Sequence, residues 1–193
     1  LWTILLAVGY LLRLPYFWWA FMWGWLCLIW LAWSVMRIWR MWWPERSHQR
    51  WMAGLTIAVS WPLIWAANSG METLLFIALG WQLLVLHYRR PAKGWRTIAA
   101  TGFLAGLLVL ARPDGLVLLL LVTLGYIAMP GRPAGRLKRL TLYLLAAALP
   151  LLPYFAFNLW SSGSLWPNTF YAKQAEYALL WQQPCLSRLS QVL

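Results

Sequence analysis

Asn68-Ser69-Gly70-Met71-Glu72-Thr73 and Ala111-Arg112-Pro113-Asp114-Gly115 each stand between two long apolar runs. Together they hold two of the chain's four acidic residues, Glu72 and Asp114, and one of the few cations outside its basic connectors, Arg112. Ionisable groups at the ends of apolar segments are costly unless they pair or serve a substrate path. If both stretches open on the same side of a membrane, they make one site.

The runs on either side of these stretches set the class. Hydrophobic residues make up 63% of the chain and charged residues 10%, with a mean hydropathy of +0.62, too apolar for a soluble domain of mixed composition. A polytopic membrane protein is expected, and its fold class is all-α, because each span must satisfy its own backbone hydrogen bonds. A transmembrane β-barrel would need alternating strands, and residues 116–121 do not alternate.

Working outward from the two stretches gives about six spans. Residues 1–12 are too short to cross and end at Arg13-Leu14-Pro15, which predicts an interfacial helix. Crossings are expected over 16–36, 51–67 (kinked at Pro62), 73–88, 97–111, 116–129 and 140–160. In the first of them Trp19, Trp23, Trp30 and Trp33 share a helical face, read as lipid-facing. Trp18, Trp39, Trp42 and Trp43 fall where interfacial belts lie. Residues 1–160 form the transmembrane region and 161–193 an extracytoplasmic segment. A start at Leu1 and an end inside a polar stretch predict a piece of a longer chain.

The sixteen Lys and Arg fall mostly in three connectors, around 37–50, 89–96 and 132–139, at every second turn. Positive residues stay in the cytoplasm, so Glu72, Arg112, Asp114 and the tail belong to the opposite face. Three spans of about fourteen to seventeen residues are at or below the usual minimum, so their outer ends are expected around a recess. The net charge of +12 does not indicate nucleic acid, which needs a continuous solvent-facing basic surface. Cys27 and Cys185 give neither a disulfide framework nor metal-ligand spacing, and His48 and His87 fall on the cytoplasmic side without a role.

Local structure explains part of the pattern. Ser69-Gly70-Met71-Glu72 matches a capping box, with Ser69 at the N-cap and Glu72 at N3, and Pro113-Asp114 suits a first helical turn. Arg112 has no capping role. It either pairs with Glu72 or Asp114 or meets a bound anion. Beyond the last span, Ser161-Ser162-Gly163-Ser164-Leu165-Trp166-Pro167-Asn168-Thr169-Phe170-Tyr171-Ala172-Lys173 combines hydroxyls, an amide, aromatic rings and a cation, suited either to an interfacial loop or to sugar and phosphate contact.

These two stretches and Leu165-Trp166-Pro167-Asn168-Thr169-Phe170-Tyr171-Ala172-Lys173, in this order, resemble a series found in GT-C type integral-membrane glycosyltransferases. The nearest subset includes the mycobacterial cell-wall arabinofuranosyltransferases. The resemblance implies a multi-pass enzyme of the cytoplasmic membrane that moves a sugar from a polyprenyl-phosphate donor to an extracytoplasmic glycan, lipid or protein acceptor. It implies that the catalytic acidic residues lie upstream of Leu1. It assigns Glu72 and Asp114 to the cavity wall, Arg112 and Lys173 to the donor phosphate, and Asn168 and Tyr171 to sugar or acceptor contact. No cofactor is assigned; a divalent cation held between carboxylates could take the place of the cations at the phosphate, although Glu72 and Asp114 alone do not argue for one. A multi-pass transporter or lipid flippase is the competing expectation. It calls for internal repeats, helices broken at mid-membrane and charges deep in the spans.

Overall fold

The computed structural model describes residues 1–88, 94–128, 133–164, 171, 174, 175 and 178. Among the described residues the chain is all-helical, with eight α-helices, one short 3-10 helix and no strand. It divides into two compact units, Leu1–Leu151 and Leu152–Leu193, the boundary falling inside the last helix.

Helix α1 (Trp2–Leu11) is short, as its length of apolar sequence predicts. It ends in a Schellman arrangement: the Leu14 amide donates to the Gly9 carbonyl and the Arg13 amide to that of Tyr10. Arg13 takes the left-handed position of that motif, at φ 56°. Pro15 then fixes the entry to α2 (Tyr16–Trp42). The α2 helix runs past the end of its apolar stretch and carries Arg37 and Arg40 in its last turns, because Arg is a good helix former.

The face of α2 that carries tryptophans is not the outward one that its spacing suggests. Trp19, Trp23 and Trp30 are half-buried, with Trp19 Nε1 donating to the Leu5 carbonyl at 2.7 Å and Trp30 packed on the core. Only Trp33 of the four is exposed. For Trp19 the cause is α1, which lies against this part of α2, with the Trp19 ring seated over Gly9.

A 3-10 helix (Pro44–Gln49) turns the chain into α3 (Arg50–Ala58) and α4 (Trp61–Asn68). The expected kink at Pro62 is a full break four residues upstream. Proline cannot donate to the carbonyl of the fourth residue before it, here Ala58, and its ring clashes there. So α3 stops at Ala58, Ser60 is extended, and Pro62 sits harmlessly in the first turn of α4.

The next helices are α5 (Thr73–Tyr88), α6 (Trp95–Ala111) and α7 (Gly115–Ala128), followed by α8 (Pro133–Ser162), which takes in the basic residues Arg136, Lys138 and Arg139. Leu28, Leu31, Leu74, Ala78, Leu83, Ala105 and Leu108 form the centre of the first unit, where α2, α5 and α6 meet. Glycines let the helices close. Gly24 faces the Ala67 carbonyl of α4, and Gly102 and Gly106, spaced as Gly-x-x-x-Gly, face the Tyr143 and Ala147 carbonyls of α8.

Outward faces are apolar rather than polar. Val117, Leu120, Leu121, Leu124 and Ile127 on α7 and Leu144, Leu145 and Leu149 on α8 are all exposed. Among the described residues two helices, α2 and α8, are long and apolar enough to cross a membrane.

Contacts sort the helix ends of the first unit into two sets. At one end Trp2 Nε1 donates to the Gly70 carbonyl, Trp25 Nε1 to Asn68 Oδ1, and Leu1 N lies 3.1 Å from the Leu110 carbonyl oxygen. At the other, the Trp42 and Tyr88 rings meet edge to face, His87 meets Tyr126, and Arg136 donates to the Ile127 carbonyl. The stretches around Glu72 and Arg112 belong to the first set. The described basic residues Arg40 and Arg136 belong to the second.

Candidate functional site

The turn from α4 to α5 is built residue by residue. Asn68 closes α4, its Nδ2 donating to the Ile64 carbonyl at 3.0 Å. Ser69 follows as the C-cap, donating to the Ala66 carbonyl at 2.8 Å and accepting from the Met71 amide at 3.3 Å. Gly70 adopts φ 70°, a conformation that side chains disfavour, and reverses the chain. The expected capping box is therefore not formed: Ser69 ends α4 instead of starting α5. Glu72 stands just before α5, its carbonyl accepting from the Phe76 amide at 2.9 Å, which leaves its carboxylate free of capping work.

The second turn is tighter. Ala111 ends α6, Arg112 is extended, and Pro113 and Asp114 form a turn closed by the Gly115 amide on the Arg112 carbonyl at 2.9 Å. A side chain at Gly115 would meet the backbone of Leu108, so only glycine lets α7 leave so close to α6. Pro113 and Asp114 stand before α7 rather than in its first turn, which holds no acidic residue, so the expected first-turn placement is not met and the Asp114 carboxylate faces Arg112 instead.

Tertiary packing brings the two turns together. Arg112 Nε lies 3.9 Å from Glu72 Oε1 and 3.7 Å from Asp114 Oδ2. The Phe76 ring lies beneath the guanidinium, 5.9 Å from Cζ to ring centroid. Of the pair alternatives open in the sequence, Arg112 takes both carboxylates at once. The Asp114 side chain is 72% exposed and that of Glu72 31%, so Glu72 is the better shielded partner and Asp114 the more easily displaced. Both approaches are longer than a charge-assisted hydrogen bond, and among the described residues the guanidinium makes no hydrogen bond. Arg112, 39% exposed, is thus held in place by charge and by an aromatic face while its N–H donors stay available.

Phe76 is absent from the candidates read in the sequence. Its signal was its position, one helical turn beyond Glu72 and so on the same face. Among the described residues no group of three or more His, Cys, Asp or Glu could hold a metal ion. Arg112 already supplies the positive charge between Glu72 and Asp114, so these residues do not fit a divalent cation. Of the remaining candidates, Tyr171 is an exposed residue of the second unit, and Asn168 and Lys173 lie outside the described residues.

In comparisons with protein-family models, curated proteins and solved structures, nothing matches this chain.

Proposed function

We propose that this chain is part of a polytopic cytoplasmic-membrane glycosyltransferase of GT-C type that moves a sugar from a polyprenyl-phosphate donor to an extracytoplasmic acceptor. The observation that carries the reading is Arg112, a half-exposed guanidinium fixed between Glu72 and Asp114 with its donors unfilled among the described residues. A planar, permanently charged fork of this kind suits a phosphate. The exposed leucines, valines and isoleucines of α7 and α8 support membrane embedding, since apolar surface in this amount is unfavourable in water. The three motifs in order support the family.

In such a transfer the acceptor oxygen bonds to the anomeric carbon while the bond from that carbon to the phosphate oxygen breaks. The acceptor's proton passes to a carboxylate base, and the negative charge grows on the departing polyprenyl phosphate. Arg112 stabilises that charge by donating to the phosphate oxygens, Asp114 giving way to the incoming anion. Glu72 holds the guanidinium in register as a cavity-wall residue. The base belongs to residues upstream of Leu1. By the resemblance alone, Asn168 and Tyr171 are assigned to sugar or acceptor contact and Lys173 to the donor phosphate.

Substituting Arg112→Ala in the full-length protein lowers sugar transfer by about a hundredfold or more, the cost of losing one oxyanion donor, with membrane insertion unchanged. Arg112→Lys keeps the charge and recovers only part of the rate, because the fork is lost. Full transfer by Arg112→Ala, measured with a polyprenyl-phosphate sugar, removes the phosphate role.

One observation favours the transporter or flippase instead: α3 and α4 are two half-helices separated at Val59 and Ser60. That break carries no ionisable residue, and its amides are closed locally, Val59 on the Leu55 carbonyl and Ser60 on that of Ile57. Counterflow of labelled lipid or solute through reconstituted vesicles, at a rate abolished by Arg112→Ala, would make transport the function.

A further inference from the structure

We propose that the cleft between the end of α2 and the start of α3 binds the phosphate headgroup of an anionic phospholipid. The inference rests on the membrane reading above, not on the transferase. The cleft, of about 370 Å³, is lined by Trp33, Met36, Arg37, Arg40, Arg50 and Trp51. Positions 33, 36, 37 and 40 recur at the spacing of one helical stripe. The 3-10 turn at Pro44–Gln49 folds the chain back so that Arg50 and Trp51, the first residues of α3, join that stripe. Gly54 allows the approach: a side chain there would strike Met36.

Three guanidinium groups therefore line one small cleft, and the like charges of Arg40 and Arg50 favour an anion between them. Among the described residues neither Arg40 nor Arg50 has a carboxylate partner, and Glu45, the nearest acid in sequence, is exposed and makes no ion pair. Arg37 is stacked on Trp33, with Cζ 4.5 Å from the ring centroid, so its position is set by the wall of the cleft. Forked donors from several arginines match phosphate oxygens. The rim indicates which phosphate. Trp33 and Trp51 are exposed beside the cleft, as are Met52 and Leu55 on α3, an aromatic and aliphatic margin suited to a glycerol backbone and acyl chains. Arg40 and Arg50 lie toward the basic end of the unit, where a cytoplasmic leaflet presents anionic lipid and basic pockets between helices take headgroups. Arg112 and the sugar-donor site lie at the other end, so the two anion sites are separate.

The test uses the full chain in detergent, titrated with phosphatidylglycerol, with phosphatidylcholine and with inorganic phosphate. Thermal unfolding and native mass spectrometry read the binding. Phosphatidylglycerol is expected to stay bound and raise the melting temperature, and phosphatidylcholine is not. Arg40→Gln with Arg50→Gln lowers the affinity for phosphatidylglycerol by about fivefold per arginine, whereas Arg96→Gln with Arg139→Gln, which removes the same charge elsewhere, leaves it unchanged. Arg40→Lys with Arg50→Lys loses less than the glutamine pair. Equal binding of the two lipids, an equal loss in the Arg96 and Arg139 pair, or stabilisation by inorganic phosphate matching that by phosphatidylglycerol would each overturn the proposal. Carbonate extraction separates the two readings. Release of the chain from membranes ends both, while retention with equal binding of the two lipids ends this one alone.

Discussion

Arg13 sits with φ 56° at the close of α1, in the position where helices of this ending use glycine. A side chain with a Cβ there costs about 1 kcal/mol relative to glycine, so Arg13→Gly is expected to raise the stability of the solubilised protein by roughly that amount. A melting temperature that falls in this variant would mean that the arginine side chain makes a compensating contact. The same scale shows why Arg112 was legible in the sequence and its geometry was not. A cation at a helix end with no capping use had to pair or bind. Which carboxylate it would meet depended on how closely the α4–α5 and α6–α7 turns approach, and that is a property of packing. Glu72 misled for a related reason: the Ser-x-x-Glu spacing of a capping box was present, but Gly70 turned the chain before the box could close.

At the scale of elements, α6 and the first half of α8 are held by glycine rather than by large apolar side chains. A Cβ at Gly106 would collide with the Ala147 carbonyl and come within 2.6 Å of Pro150 Cγ, and one at Gly102 with the Tyr143 carbonyl. Backbone cannot yield as a flexible side chain can, so Gly106→Ala is expected to cost about 1 to 3 kcal/mol, read as a lower unfolding midpoint in detergent. No change would show that α6 and α8 separate freely. The Gly-x-x-x-Gly spacing was visible in the chain but says nothing of the partner. Element boundaries behaved in a similar way. Apolar runs marked the limits of α5 and α6 closely, whereas α2 and α8 extend into the basic segments, because a helix ends where its backbone is stopped and not where hydrophobicity ends. Proline at 62 gave the interruption; its steric reach to Ala58 placed it.

For the whole molecule the decisive prediction concerns sides. With Cys27 and Cys185 replaced, Met71→Cys and Pro113→Cys are expected to react with an impermeant thiol reagent from one compartment of oriented vesicles and Arg46→Cys from the other. Labelling of positions 71 and 113 from opposite compartments would dissolve the proposed site and with it the transferase reading. Sequence by itself determined that the chain is helical and roughly where its helices run. Long apolar stretches without strand-like alternation favour helices, which close their own backbone hydrogen bonds, and prolines, glycines and charges mark the stops. Only the tertiary structure decided that Arg112 lies between Glu72 and Asp114 over Phe76, that Trp19 of α2 turns inward against α1, and that three arginines share a cleft. Each of these is a contact between segments far apart in the chain or across a turn. Such contacts are set by how closely glycine-lined helices approach, a distance that no periodicity along one helix encodes.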